Sequence, residues 1–104
     1  MPTNQIFAQK EPAAGTDTVL YSCQGNVMVN IRAANMGGDD AIRVALVPQG
    51  ANLSDKCYLA YDTPLGSNNL FLLQVIYFSH GDNVVVHSSQ GVSSFTLTGQ
   101  NLDH

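Results

Sequence analysis

Hydrophobic and polar residues alternate along most of this chain, which is the pattern of β-strands with one buried face. The clearest alternation covers residues 26–35, where Val27, Val29, Ile31 and Ala33 are expected to point inward. Further predicted strands are residues 16–23, 42–46, 58–63, 70–78, 84–88 and 92–98, of which 70–78 and the start of 84–88 are almost continuously apolar. Glycine, proline and Asx residues separate the segments, and no helical period persists. The sequence therefore predicts an all-β protein, a single antiparallel β-sandwich of about seven or eight strands.

The strand order is left open by this pattern. Jelly-roll and immunoglobulin-like topologies both fit short strands at regular spacing. Along the chain, we interpret residues 1–15 as an N-terminal arm or edge segment, residues 16–99 as the sandwich and residues 100–104 as a short tail. With 104 residues the chain forms one domain.

The most apolar stretch, residues 56–78, is expected to organise the core. Two apolar runs flank a polar bend at residues 62–69, whose proline, glycine and Asx residues favour a loop. Only Gln74 interrupts the second run, residues 70–78. We therefore expect two core strands around a turn. A run that is apolar on both faces requires cover on both sides, from the opposing sheet and from a loop, a neighbouring subunit or another protein.

The composition narrows the range of functions. Charged residues make up 12% of the chain, against about a quarter in a typical globular protein. The surface must therefore be rich in uncharged polar residues, which is typical of secreted and virion proteins. The net charge of −4 offers no basic face for nucleic acid. No apolar run approaches the roughly 20 residues of a membrane span, and residues 1–10 lack signal-peptide features. We expect synthesis in the cytoplasm and no contact with nucleic acid or membrane.

The two cysteines, Cys23 and Cys57, allow two interpretations. A disulfide would close a loop of about 35 residues and contribute roughly 3–4 kcal/mol in the chain-entropy model. Cytosolic synthesis instead favours two buried free thiols. Without a CxxC motif they do not indicate a zinc site.

No catalytic constellation stands out. Ser79, His80 and Asp82 share one turn, where the simpler interpretation is a solvated histidine and an aspartate that caps the turn. His87 is expected at the surface or rim of a strand. Asp39 and Asp40 follow two glycines but lack calcium-loop spacing. We therefore expect no catalytic residue, cofactor or metal ion.

Tyrosines are the better candidates for contacts. Tyr58 and Tyr61 are three residues apart, which places them on opposite faces of a regular strand. At least one should then point away from the core, where a tyrosine suits protein or sugar contact.

Several segments together resemble small all-β virion proteins of tailed bacteriophages. They are residues 17–23, the alternating strand that ends at residues 34–35, and residues 41–48, 58–65 and 79–88. The resemblance spans roughly residues 7–99. It departs from the family at Gln24-Gly25, where a Pro-Ala-Gly type of turn is usual, and in the unusually apolar residues 70–78. None of the shared motifs is catalytic.

This resemblance implies a non-enzymatic structural role in the virion. The expected role is a capsid decoration or cement protein that binds neighbouring virion subunits and forms a homo-oligomer in the particle. The alternatives are a tail, collar, baseplate or fibre-associated subunit, and a module that binds glycan or protein on the host surface. The candidate partner contacts are Ile6, Phe7, Tyr58, Tyr61, Phe71, Leu73 and Tyr77.

Overall fold

The computed structural model describes residues 5–50, 52–53 and 57–102. These residues form eight β-strands, as the alternation predicts. The strands are β1 (Gln5–Lys10), β2 (Thr18–Ser22), β3 (Val27–Asn35), β4 (Asp40–Val47), β5 (Tyr58–Leu65), β6 (Leu70–Phe78), β7 (Asn83–Ser88) and β8 (Ser93–Asn101). Strand β1 lies within the predicted arm, and β8 continues two residues beyond position 99.

The strands form two four-stranded antiparallel sheets. Sheet A has the order β1-β8-β3-β6, and sheet B has the order β2-β7-β4-β5. The predicted β-sandwich is thus confirmed. Two four-stranded sheets with this order of strands are the arrangement of an eight-stranded jelly roll, which decides between the two predicted topologies.

The main core lies between the sheets and follows the predicted pattern. Val27, Val29, Ile31 and Ala33 of β3 are all buried. The other strands contribute the core side chains Leu20, Ile42, Val44, Leu65, Phe78, Val84, Val86, Phe95 and Leu97. Full burial of a side chain of this size contributes roughly 1.5–3 kcal/mol, so this layer is the main source of stability.

A second apolar cluster lies on the outer side of sheet B. It consists of Ala45, Val47, Cys57 and Val85, with Leu53 and Tyr58 packed against them. Ala45 of β4 lies on this outer face. It is nevertheless fully buried, because it packs within this cluster, which includes Leu53 and Cys57 from the segment after β4.

The most apolar stretch, residues 56–78, is placed differently from the prediction. Strands β5 and β6 are not neighbours in the core, since β5 is an edge of sheet B and β6 is an edge of sheet A. The bend is also shorter than expected. Strand β5 continues to Leu65, and the turn is confined to residues 66–69, closed by a hydrogen bond from the Asn69 amide to the Gly66 carbonyl.

A buried carboxylate joins the two sheets at one end of the sandwich. Asp40, at the start of β4, accepts hydrogen bonds from the hydroxyls of Ser88 at the end of β7 and Ser93 at the start of β8. Its other oxygen accepts the amides of Ala41 and Gln90 at 2.8 and 2.9 Å. Four donors fill the acceptor capacity of a carboxylate. Burial would raise the pKa of Asp40, but these hydrogen bonds outweigh it and hold the pKa below its usual value.

Asn35 makes a second polar link at the same end. Its side-chain amide donates to the carbonyls of Gly38 and Leu65, at 2.7 and 2.8 Å, and its oxygen accepts the Gly37 amide. Asn35 belongs to sheet A and Leu65 to sheet B. Asn35 therefore holds the loop at residues 36–39, and Asp40 holds the loop at residues 89–92. The Asn35 backbone amide also donates to the Asn69 carbonyl, which ties the turn at residues 66–69 to β3.

Both cysteines are buried free thiols, as cytosolic synthesis favours. Burial raises the pKa of Cys23 to about 11, with a further contribution from the charge of Asp82. The Cys23 thiol is therefore not poised to act as a nucleophile at neutral pH.

Replacing Asp40 should reveal the strength of the link between the sheets. We expect Asp40→Asn to lower the free energy of unfolding by about 2 kcal/mol at pH 7, because it places an amide donor against serine hydroxyl donors. Since the folded pKa is lowered, the contribution of Asp40 is present above the unfolded pKa of about 3.9 and is lost as the pH falls through the folded value.

Urea unfolding of both proteins at pH 7 and pH 3 measures this difference. Asp39→Asn is the matched control, because Asp39 is exposed and accepts a long hydrogen bond, 3.3 Å, from the Ser67 amide. A loss of stability in Asp40→Asn that stays the same at both pH values would contradict the assignment.

Gly99 should be intolerant of any side chain. A Cβ atom there would lie 2.0 Å from the Met28 carbonyl oxygen and 2.7 Å from the Val29 Cα atom. These are backbone atoms of β3, which cannot move without breaking its pairing with β8. We expect Gly99→Ala to lower the free energy of unfolding by about 3 kcal/mol or more. Gly38→Ala, with no atom within 4 Å, should stay within about 1 kcal/mol of the parent.

Candidate interaction surfaces

The outer face of sheet B carries a group of aromatic and charged side chains that a β-bulge assembles. Ile42 pairs with Thr63 and Val44 pairs with Ala60, so one residue of β4, Arg43, stands opposite two residues of β5. Those two residues are Tyr61 and Asp62. Such a bulge redirects side chains locally. Asp62 has a positive φ of 49°, which aspartate tolerates better than most residues.

The bulge brings both side chains against the same arginine. The Arg43 Nε donates to the Asp62 Oδ1 at 2.6 Å. The Arg43 Cζ lies 4.3 Å from the centroid of the Tyr61 ring, which is a cation–π contact. Tyr61 also meets Tyr58 edge to face, with ring centroids 4.8 Å apart. We call Arg43, Tyr58, Tyr61 and Asp62 the tyrosine patch.

The expectation that Tyr58 and Tyr61 lie on opposite faces was wrong. It assumed a regular strand, but register breaks between Ile42 and Val44 and between Val44 and Ala45 disturb the pairing with β5. Both rings consequently lie on the same side and touch. Tyr58 is half-buried against the second apolar cluster, whereas Tyr61 is 55% exposed.

The electrostatics of the patch favour a fixed geometry. The hydrogen bond between Arg43 and Asp62 raises the pKa of Arg43 and lowers that of Asp62, so both groups stay charged near neutral pH. Burial raises the pKa of Tyr58, and the nearby charge of Asp17 adds to that shift. The patch therefore presents two aromatic rings beside an ion pair of fixed geometry.

His87 extends this group of side chains. Its Nδ1 lies 2.9 Å from the Asp17 Oδ1, and the histidine is 8% exposed. The prediction of a surface or rim histidine was therefore wrong, because the ring is buried and lies against Asp17. The tyrosine patch is suited to binding a partner. Its arginine and tyrosine side chains are already held by their neighbours, so they lose little conformational entropy on binding, and both residue types are enriched at protein interfaces.

The outer face of sheet A carries a different surface, a shallow groove of about 450 Å³. It is lined by Ile6, Gln9, Asn30, Arg32, Leu72, Thr96 and Thr98. Arg32 is the one charged residue among these seven. The groove thus combines neutral hydrogen-bonding groups with one cation, between an apolar residue on β1 and another on β6.

Large apolar side chains are exposed at the β6 side of this face. Leu70 is 65% exposed, Leu72 is 46% exposed and Tyr77 is 64% exposed. At the opposite edge of the same face, on β1, Ile6 is 61% exposed. Exposed apolar residues concentrated in this way mark contact surfaces more often than isolated ones do.

The predicted contact residues divide between these surfaces and the core. Ile6 and Tyr77 lie on the outer face of sheet A, and Tyr58 and Tyr61 lie in the tyrosine patch. Three others are partly buried and pack against the core, namely Phe7, Phe71 and Leu73. Phe7 contacts the ring of Tyr21, with centroids 5.4 Å apart.

Sequence reasoning missed several residues on the surfaces. Arg43 and Asp62 belong to the tyrosine patch, and Leu70 and Leu72 are exposed on β6. The sequence did contain a signal for Leu70 and Leu72. Residues 70–78 are apolar on both faces, so one face must either be covered by a partner or be exposed. The pairing of Arg43 with Asp62 had no such signal, since it depends on the bulge.

The turn that contains Ser79, His80 and Asp82 has a structural role. The Asp82 carboxylate accepts the amide of Ser79 at 3.0 Å and that of Gln49 at 3.1 Å. The simpler interpretation of Asp82 as a turn cap is confirmed. In residues 5–50, 52–53 and 57–102, no three or more His, Cys, Asp and Glu side chains are placed to hold a metal ion.

Within the part of the chain that the structure describes, no helix has the length and apolar character needed to cross a membrane.

Comparison with known proteins gives few similarities. No protein-family profile matches the sequence, and no curated protein matches it. Among solved structures, a chain in the structure of infectious bursal disease virus, Gx strain, is similar at 10% sequence identity and a TM-score of 0.38. The similarity covers 100% of this chain and 28% of that chain. At this level it has no weight in assigning a function.

Proposed function

We propose that this protein is a non-enzymatic structural subunit of a bacteriophage particle, and specifically a capsid decoration or cement protein. The observation that carries the proposal is the exposure of large apolar side chains on both outer faces of one sandwich. Tyr61 lies on sheet B, while Ile6, Leu72 and Tyr77 lie on sheet A. A subunit with contact surfaces on opposite sides is suited to bridge two neighbours.

The size of these surfaces fits repeated attachment. Each large apolar side chain contributes roughly 1.5–3 kcal/mol when a partner buries it fully. One subunit would therefore bind with modest strength. In a particle with many copies, linked contacts raise the overall affinity without any new contact type.

The fold is compatible with this role but does not select it. Jelly rolls occur in viral capsid proteins and in lectins, and a fold alone does not define a function. The bacteriophage part of the proposal rests on the resemblance of the strand and turn motifs. The non-enzymatic part is supported by Asp82, whose carboxylate caps a turn in the one segment that groups a serine, a histidine and an aspartate.

A tail, collar, baseplate or fibre subunit would use the same surfaces in fewer copies. A third possibility, recognition of host-surface glycan, is favoured by the tyrosine patch, because an exposed Tyr61 ring beside charged Arg43 and Asp62 could stack on a sugar and bond its hydroxyls. Binding of the isolated protein to a glycan array would support recognition of the host.

Copy number separates the structural roles. We expect quantitative mass spectrometry of purified particles, scaled to the major capsid protein, to find hundreds of copies of this chain. A few dozen copies or fewer, in multiples of three or six, would place it on the tail, collar or fibre. Absence from the particle would refute the virion role.

Tyr61→Ser should weaken attachment to the particle. Truncation of an interface tyrosine costs about 2 kcal/mol, which corresponds to roughly thirty-fold weaker binding. Binding of the purified variant to particles that lack the protein measures this effect. Met36→Ser is the matched control, because Met36 is 60% exposed but lies in the loop after β3, away from both sheet faces. Equal binding by both variants would exclude the tyrosine patch from the interface.

A further inference from the structure

Strand β6 is an open sheet edge with unusual properties. Among the described strands it pairs only with β3, so the backbone groups on its other side are available to another strand. It is nine residues long, or about 30 Å. Its sequence, LFLLQVIYF, contains no charged residue, no proline and no glycine.

The three other sheet edges each carry features that discourage pairing. Strand β1 contains Lys10, and β2 has only five residues. Strand β5 contains Asp62 and Pro64 and has two register breaks. Natural proteins use charge, proline, shortness and bulges to keep edges from pairing. Of these devices β6 has only a bulge.

We propose that β6 pairs with β6 of a second copy of this chain, antiparallel and about a two-fold axis, to form one continuous eight-stranded sheet. Charge confines association of two copies to an uncharged surface such as this edge. Each chain has a net charge of −4, so two copies repel over most of their surfaces. Along β6 they can approach without bringing two acidic side chains together.

The side chains define the register. Leu72 pairs with Arg32 and Tyr77 pairs with Met28 across the β3–β6 ladder, and both Leu72 and Tyr77 are exposed on the outer face. Phe71 and Phe78 face the core instead. A two-fold axis between residues 74 and 75 places Leu72 beside Tyr77 of the second copy, and Phe71 in line with Phe78 of the second copy. Both faces of the two sheets then continue into each other.

The bulge in β6 is compatible with this register. Val29 pairs with Ile76 and Ile31 pairs with Leu73, so the extra residue lies at positions 74–75. That position coincides with the two-fold axis. Residues 70–73 and 76–78 remain as two extended arms, and each arm meets the opposite arm of the second copy.

The expected dimer is weak. Pairing of two nine-residue edges with six exposed apolar side chains buries on the order of 1,000 Å², at the low end for a specific interface. We therefore expect a dissociation constant in the micromolar range. The inference concerns the protein in solution and does not depend on the proposed function, since a dimer at this edge is compatible with any of the candidate roles.

Sedimentation equilibrium of the purified protein tests the proposal. The protein concentration should run from roughly 5 to 500 μM, a range that brackets a micromolar dissociation constant. The parent protein should show a monomer–dimer equilibrium. In Leu72→Lys/Tyr77→Lys, like charges meet across the interface, and the dissociation constant should rise at least tenfold. In Leu72→Lys/Tyr77→Glu, each lysine meets a glutamate of the second copy, and dimerisation should return.

Leu59→Lys is the matched control. Leu59 is 44% exposed on β5, close to the 46% of Leu72, but lies on a different edge. It should leave the dimer intact. Circular dichroism confirms that each variant is folded, as expected for exposed positions. A parent protein that is monomeric at every concentration would overturn the proposal, and so would a charge-swapped variant that dimerises no better than the double lysine variant.

Discussion

A buried carboxylate holds the two sheets together at the end of the sandwich where β4 and β8 begin and β7 ends. Asp40 lies in sheet B, and its two hydroxyl donors lie on either side of the loop that carries the chain from β7 in sheet B to β8 in sheet A. Removing such a group from water is costly unless every acceptor position is filled. Here four donors fill them, so the arrangement is stable only in this register. A shift of β7 or β8 relative to β4 would separate Ser88 or Ser93 from Asp40 and leave a buried charge without its full set of donors.

The same constraint, that a buried polar group needs hydrogen-bond partners, applies to the other polar side chain at this end of the sandwich. Asn35 repeats the solution with a neutral side chain that connects β3 to the end of β5. Among the described residues, no buried side-chain nitrogen or oxygen lacks a hydrogen-bond partner. Because the loops at this end are fixed by hydrogen bonds, the sheet faces and edges remain as the surfaces on which a partner can be accommodated without disturbing the fold.

The sequence was sufficient to predict the fold class, because alternation reports which side of a strand is buried. Val27, Val29, Ile31 and Ala33 needed no tertiary information. The tyrosine patch could not be predicted in the same way. Alternation assigns faces only while a strand is regular, and the bulge at Tyr61 and Asp62 depends on how β5 pairs with β4. His87 was misassigned for a related reason, since its cover comes from Asp17, which is far away in sequence.

The edges of the sheets have a consequence for how copies of this chain can associate. A contact that uses the same edge of both chains is isologous, and it is saturated once two copies have joined. Growth beyond a pair, as in a fibre, would need a second sheet edge on each sandwich that can pair with another chain. The bulged β5, with its Asp62 ion pair and Pro64, does not provide one. The irregularity that presents Tyr61 to a partner therefore also limits open-ended polymerisation.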